Sequence, residues 1–206
     1  MTTDHAPDHP PVAAPLGDVT TERLTLRRFR AADAEALAPV FAEPAVWRYP
    51  YGRGLTAEET ATFVEKRVAG WDAQGFDLWV AEERATGRVI GFVGLSVPRF
   101  LPEVLPAVEV GWRLHPDVWG RGYATEGATA ALDEAFTTLG LDEVVSIIEP
   151  VNTASVRVAE RLGMEVVRTV AVPSTPERGE VAALLFRLRA ADWPARRPAP
   201  GARPPA

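Results

Sequence analysis

The chain has 206 residues, of which 47% are hydrophobic and 24% charged, the balance of one soluble globular domain rather than of a disordered or fibrous chain. A formal net charge of −6 argues against the phosphate-neutralising mode of nucleic-acid binding, and no apolar run reaches membrane-spanning length. Cysteine is absent, which excludes a disulfide framework, thiolate metal sites and a cysteine nucleophile, and suits a reducing cytoplasm.

Residues 1–18 and 194–206 read as disordered tails, because Pro-rich polar segments bury too little apolar surface to offset the entropy of ordering. The first of them lacks the basic start and apolar block of a secretion signal. The expected domain, 19–193, opens with "RLTLRRF", which alternates as a strand does. Asp33 is then expected to cap a short helix over "AEALAPVF" that ends near Pro44. A loop carrying Trp47, Tyr49 and Tyr51 follows. Thr56 and Glu59 have the spacing of a capping box, opening a helix through "EETATFVEKRVAGW" that Gly70 helps to end. "DLWVAEE", a turn at "RATG" and "RVIGFVGLSV" predict a hairpin, and "AVEVGWRLH" a further strand.

Next comes "WGRGYATEGATAAL". Apolar residues from Ala124 to Leu139 recur at three- and four-residue steps before Gly140, which predicts an amphipathic helix of about five turns. "EVVSIIE" is a continuous apolar run fit for a strand covered on both faces. A short helix is expected from Asn152 to Gly163, and "EVVRTVAV" and "EVAALLFRL" complete a mixed α/β sheet.

Gly120 and Gly122 stand where a strand passes into a helix, so unpaired N–H groups and the positive end of the helix dipole converge there. Such a terminus favours a phosphate, with glycines admitting it close to the backbone. A Walker loop would require Gly-Lys before Ser or Thr, and a dinucleotide fingerprint a third glycine or alanine at Thr125; neither is present. On its own the pair of glycines is equally a turn that enters a helix.

The flanking residues decide between these. "EVGWRLHPDVWGRGYATEG" resembles the acetyl-CoA segment of the GNAT acetyltransferases, most closely of the RimJ/RimL type, and "PVNTASVRVAERLGM" resembles the Asn-x-x-Ser helix that follows the next strand in that family. The likeness spans about Thr20 to Trp193. It implies a mostly antiparallel sheet of six to seven strands flanked by helices, with two central strands splayed apart for the cofactor. It also implies that main-chain amides of Gly120, Arg121, Gly122, Tyr123, Ala124 and Thr125 hold the pyrophosphate, that Trp112 and Leu114 lend main chain to the pantetheine arm, and that a bulge at Gly111 starts the splay. Trp119 stands where the wider superfamily often has Gln or Arg. Gly127 replaces a usual Ala at a cost of about 1 kcal/mol of helix propensity that the sequence does not explain.

Transfer of an acetyl group to an amine requires a neutral nitrogen, a stabilised oxyanion and a protonated thiol, but no covalent enzyme intermediate. Glu109 is the candidate base, against the alternative that strand alternation turns it to solvent. Ser155 is the candidate proton donor to the thiolate as well as a cofactor contact, and Asn152 combines a helix cap with a cofactor contact. Trp47, Tyr49 and Tyr51 either border the acceptor pocket or pack as core. Arg157 and Arg161 fit a solvated helix face, and His115 without clustered carboxylates makes no metal site. The expected activity is acetyl transfer from acetyl-CoA to a primary amine in a ternary complex, with a protein N-terminal α-amine as the first acceptor and a polyamine, an amino-antibiotic or another small amine as the second. A binding module that senses acetyl-CoA without transfer is the alternative class. A homodimer is compatible with the reading; nucleic acid, membrane and metal partners are not expected.

Overall fold

Leu24 and Leu26 are fully buried while Thr25 and Arg27 between and beside them are only partly covered, and this two-residue period sets the second strand of the sheet. The computed structural model describes residues 8–49, 51–173 and 179–197. The elements run β1 (Val19–Thr20), β2 (Leu24–Arg27), α1 (Asp33–Ala42), α2 (Ala57–Gln74), β3 (Leu78–Glu83), β4 (Arg88–Ser96), β5 (Glu109–Leu114), α3 (Tyr123–Thr137), β6 (Glu143–Ile148), α4 (Thr153–Arg161), β7 (Glu165–Val172), β8 (Val181–Arg189) and α5 (Trp193–Arg196).

The strands form one sheet in the order β1-β2-β3-β4-β5-β6-β8-β7, antiparallel except between β5 and β6. It has eight strands where the sequence predicts six to seven, the addition being the two-residue β1 paired to Leu26 and Thr25. α3 makes the crossover that a parallel β5–β6 pair requires. Trp79, Ala81, Val93 and Leu95 pack with the α3 residues Ala128, Ala131 and Leu132, whereas Leu78, Val80 and Phe92 pack with Leu37 and Phe41 of α1. The alternation along β3 and β4 thus feeds two cores, one on each face. β6 is covered on both sides as expected, Val144 and Ile148 joining one cluster and Val145 another.

Four local expectations are corrected. Asp33 does not cap α1 from outside; it is the first helical residue, and its buried carboxylate accepts from the Arg27 guanidinium at 2.7 and 2.9 Å and from the Arg30 amide at 2.7 Å. The Thr56–Glu59 capping box is present, but α2 passes Gly70 and stops at Gly75 in the left-handed conformation. Gly70 instead lies against Asp77, whose carboxylate occupies the place a side chain would take. α3 has 15 residues, about four turns, and ends before Leu139.

The fourth concerns the N-terminal tail. Residues 8–18 pack along the domain: the Leu16 amide donates to Gly75 O at 2.8 Å, the Ala13 amide to Leu139 O at 3.0 Å, and Leu16 is 1% exposed. A few apolar contacts and main-chain bonds hold a segment whose composition suggested a tail. At the other end Trp193 and Arg197 both bind Asp133 of α3. Residues 1–7 and 198–206 lie outside the described residues.

Candidate active site

β5 and β6 meet at one register position, Glu109 beside Val145, where the Val145 amide donates to Val108 O at 2.9 Å. Beyond it the strands diverge. The Ile147 amide, next in the ladder, donates at 3.3 Å to Oε1 of Glu109 instead of to main chain. The splay therefore starts at Glu109, and the bulge expected at Gly111 is absent: the β4–β5 register runs unshifted from Glu109 to Leu114. Desolvation pushes the Glu109 carboxyl up to about 7, against the Ile147 hydrogen bond and the charge of Arg113, which pull it down. A carboxyl in that range is matched to taking a proton near neutral pH.

Even-numbered residues of β5 turn their main chain toward the gap, since Val108 O accepts from β6 and Leu114 O accepts from the Trp119 indole at 2.7 Å. Val110 and Trp112 lie between; the Val110 amide completes the bridge to Val145, and the Val110 carbonyl and both main-chain groups of Trp112 face the splay. The half-exposed Trp119 thus occupies one of the two carbonyls expected to serve the pantetheine arm.

Odd-numbered residues put their side chains on the opposite face: Glu109, Gly111 and Arg113. Sequence reasoning missed Arg113. Its Nη1 donates to Val46 O at 2.8 Å and its guanidinium lies 4.4 Å over the Trp47 ring. Burial lowers its pKa to about 10, while Glu109, Tyr51 and Glu149 raise it. Trp47 is 4% exposed and packs edge-on against Phe41 at 5.2 Å and Phe63 at 5.5 Å. It is core and site wall together. Tyr51 tilts against Trp47 at 5.6 Å, whereas Tyr49 is half-buried outside that cluster.

At the mouth of α3, Gly120 and Gly122 have φ of 72° and 85°, a region that side-chain-bearing residues avoid. Gly122 is the N-cap and no side chain caps the helix, so its first N–H groups are left for a ligand. Half-buried Ala124 and Thr125 share this first turn. The Tyr123 side chain is buried, with its hydroxyl donating to Glu83 at 2.6 Å, so only its main chain faces the mouth. Glu126 would oppose an anion there, but it is neutralised from behind by the Thr21 hydroxyl and by the amide and guanidinium of Arg23. Arg23 also donates to the Arg121 carbonyl at 2.7 Å, tying the loop to β2. This donor set fits a pyrophosphate.

α4 closes the other side. Asn152 caps it, Oδ1 accepting from the Ser155 amide at 3.3 Å, and Ser155 Oγ accepts from the Trp112 indole at 3.3 Å. Two residues placed by the same resemblance thus meet across β5 and α4. Arg157 and Arg161 are exposed, and His115 accepts from the Asp117 amide. Among the described residues no group of His, Asp and Glu is arranged to hold a metal, and no helix is long and apolar enough to cross a membrane.

Comparison with known proteins places this geometry. The acetyltransferase (GNAT) domain model matches residues 23–165. The uncharacterized protein YkkB of Bacillus subtilis is 33% identical over 153 residues, covering 74% of this chain and 87% of YkkB. The FsC-acetyl coenzyme A-N(2)-transacetylase of Aspergillus fumigatus is 40% identical over 146 residues, covering 64% of this chain and 59% of that protein. A solved structure of a putative ribosomal-protein-serine acetyltransferase from Vibrio cholerae superposes with TM-score 0.71 at 20% identity, covering 85% of this chain and 99% of that one. That likeness is one of fold. The chain belongs to the GNAT family and is an acetyltransferase.

Proposed function

We propose that the protein transfers the acetyl group of acetyl-CoA to a primary amine by direct attack in a ternary complex. The observation that carries this reading is the Glu109 carboxyl, set at the start of the β5–β6 splay and raised to about 7. The pyrophosphate would be held by the amides at the mouth of α3 and the pantetheine arm by main chain of Trp112 and Leu114, with the Trp119 indole displaced from the Leu114 carbonyl. Acetyl-CoA supplies an activated thioester. Glu109 takes a proton from the incoming ammonium, directly or through water, and the amide of Trp112 is the donor for the carbonyl oxygen as charge develops on it. Ser155 stands by Asn152 to return a proton to sulfur, a modest contribution because a thiol of pKa near 8.5 leaves readily.

A base near 7 serves best an amine that is partly neutral at the same pH. An α-amine, with pKa near 8, is about a tenth neutral at pH 7, against well under a thousandth of a lysine side chain. A protein N-terminus is therefore the first acceptor. A small-molecule amine is the second, favoured by the relative whose name assigns transfer to an N(2) nitrogen. Thiol release from acetyl-CoA with separate pools of short peptides and of small amines tests both. Release with a peptide pool identifies the first, release with small amines alone the second, and cofactor binding without release in either pool overturns the transfer reading in favour of a sensor.

A further inference from the structure

Gly111 lies between Glu109 and Arg113 on the same face of β5, and the position that its Cβ would occupy has no atom within 4 Å apart from its chain neighbours. The strand thus presents a space with a carboxylate at one end and a guanidinium at the other. Arg113 is held in place by one bond to Val46 O and by the face of Trp47, and it forms no ion pair among the described residues. Four of its five N–H donors are left over. The Trp47 indole beneath it is also a buried donor with no acceptor. The open donors of Arg113 are completed by a ligand that brings acceptors.

We propose that this space takes an amine that carries a carboxylate, with the nitrogen at Glu109 and the carboxylate on Arg113; the proposal rests on the acetyl-transfer reading above and, within it, selects the small-molecule acceptor over the peptide N-terminus. A guanidinium fixed by stacking on an indole keeps its edge open for the paired oxygens of a carboxylate. Charge sets the limit to one. Glu109 and Glu149 both act on Arg113, so a phosphate dianion would face two carboxylates with one cation to offset it, whereas a carboxylate meets that cation alone. An amine without the carboxylate would leave the open Arg113 donors without an acceptor from the ligand, which is the basis for discrimination.

The test is thiol release from acetyl-CoA by the full chain with the common α-amino acids and linear ω-amino acids, each beside its carboxamide. The acids are expected to exceed their amides in kcat/KM by roughly 10–100-fold, the range for a charged hydrogen bond. Arg113→Gln should remove that preference by raising KM for the acids far more than for the amides. Gly111→Ala, which needs no unusual backbone angle and has room for its methyl group, should fold normally, keep acetyl-CoA affinity and raise KM for every acceptor. Equal use of acids and amides by the unaltered protein overturns the inference and leaves the transfer reading standing. An equal loss for both in Arg113→Gln makes Arg113 a prop for Val46 and also overturns it. No release with any amine in these sets or in the peptide pool overturns both.

Discussion

The amide of Ile147 donates to the carboxylate of Glu109, so a side chain of β5 fills the place that the main chain of β5 would hold in an unbroken parallel ladder. One contact thereby marks the start of the gap and puts a carboxyl inside it. Desolvation at that point raises the carboxyl to about 7, which couples the chemistry to the stability of the fold.

Glu109→Gln should lower kcat/KM by about 10²–10⁴, and the rise of activity through pH 7 should give way to a profile that follows the acceptor's own ionisation. Near-complete activity of this variant from pH 6 to 9 would make Glu109 a structural residue.

The same variant should be more stable above neutrality. The folded state holds the Glu109 proton up to about 7, whereas the group's ordinary value is 4.5. Stability from this source is therefore fully present below pH 4.5 and lost as pH rises through 7, a change on the order of 2–3 kcal/mol. Urea denaturation at pH 5 and pH 8 should show the unaltered protein losing stability between the two and Glu109→Gln losing less.

Gly122→Val should weaken acetyl-CoA binding by more than about tenfold while the domain stays folded. A branched side chain at φ 85° is strained by about 1–3 kcal/mol and stands where the ligand approaches the amides. Calorimetry on the folded variant measures the first effect; unchanged affinity would remove the pyrophosphate from this turn.

Ser155→Ala should cost less than about tenfold in kcat, because water can protonate a thiolate of moderate basicity. The Trp112 indole loses an acceptor, so a stability loss of about 1 kcal/mol accompanies it. A loss equal to that of Glu109→Gln would raise Ser155 to an essential acid.

Asp33→Ala should be the most damaging of these for the fold. Arg27 and Asp33 have side chains 11% and 6% exposed and share two hydrogen bonds, so removing the carboxylate leaves Arg27 with Glu82 as its remaining carboxylate partner and the Arg30 amide without an acceptor, at a cost of about 2–3 kcal/mol. The midpoint of urea unfolding reads it directly.

What the sequence made legible was whatever depends on neighbours in the chain. The strand and helix periods, the Thr56–Glu59 box and the glycines before α3 are local, and the two motifs carried the family with them. Arg113 was not legible, because its partners Val46 and Trp47 arrive from a loop more than sixty residues earlier. Asn152 and Ser155 were found from their motif, yet the contact of Ser155 with Trp112 depends on how α4 docks. Residues 8–18 were misjudged because composition measures average burial, whereas a few specific contacts, Leu16 in the core, Val12 against it and His9 on Phe76, hold the segment. Tyr123 was assigned to the mouth by its main chain alone, and its side chain leaves toward Glu83, a contact the sequence does not show.

Gly127 was unexplained as sequence and is explained by its neighbour: a Cβ there would stand 3.1–3.2 Å from the Val93 side chain, at the point where α3 lies closest to β4. Ala is the better helix former by about 1 kcal/mol, but that gain is withheld while Val93 keeps its branches. Val93→Ala alone opens a void, and Gly127→Ala alone obliges the Val93 side chain to give by a few tenths of an ångström. Together they exchange volume between the two elements, so their effects should be strongly non-additive. The order in which a lineage acquires them then matters: Val93→Ala first leaves a void, whereas Gly127→Ala first is favourable only as far as the Val93 side chain can give.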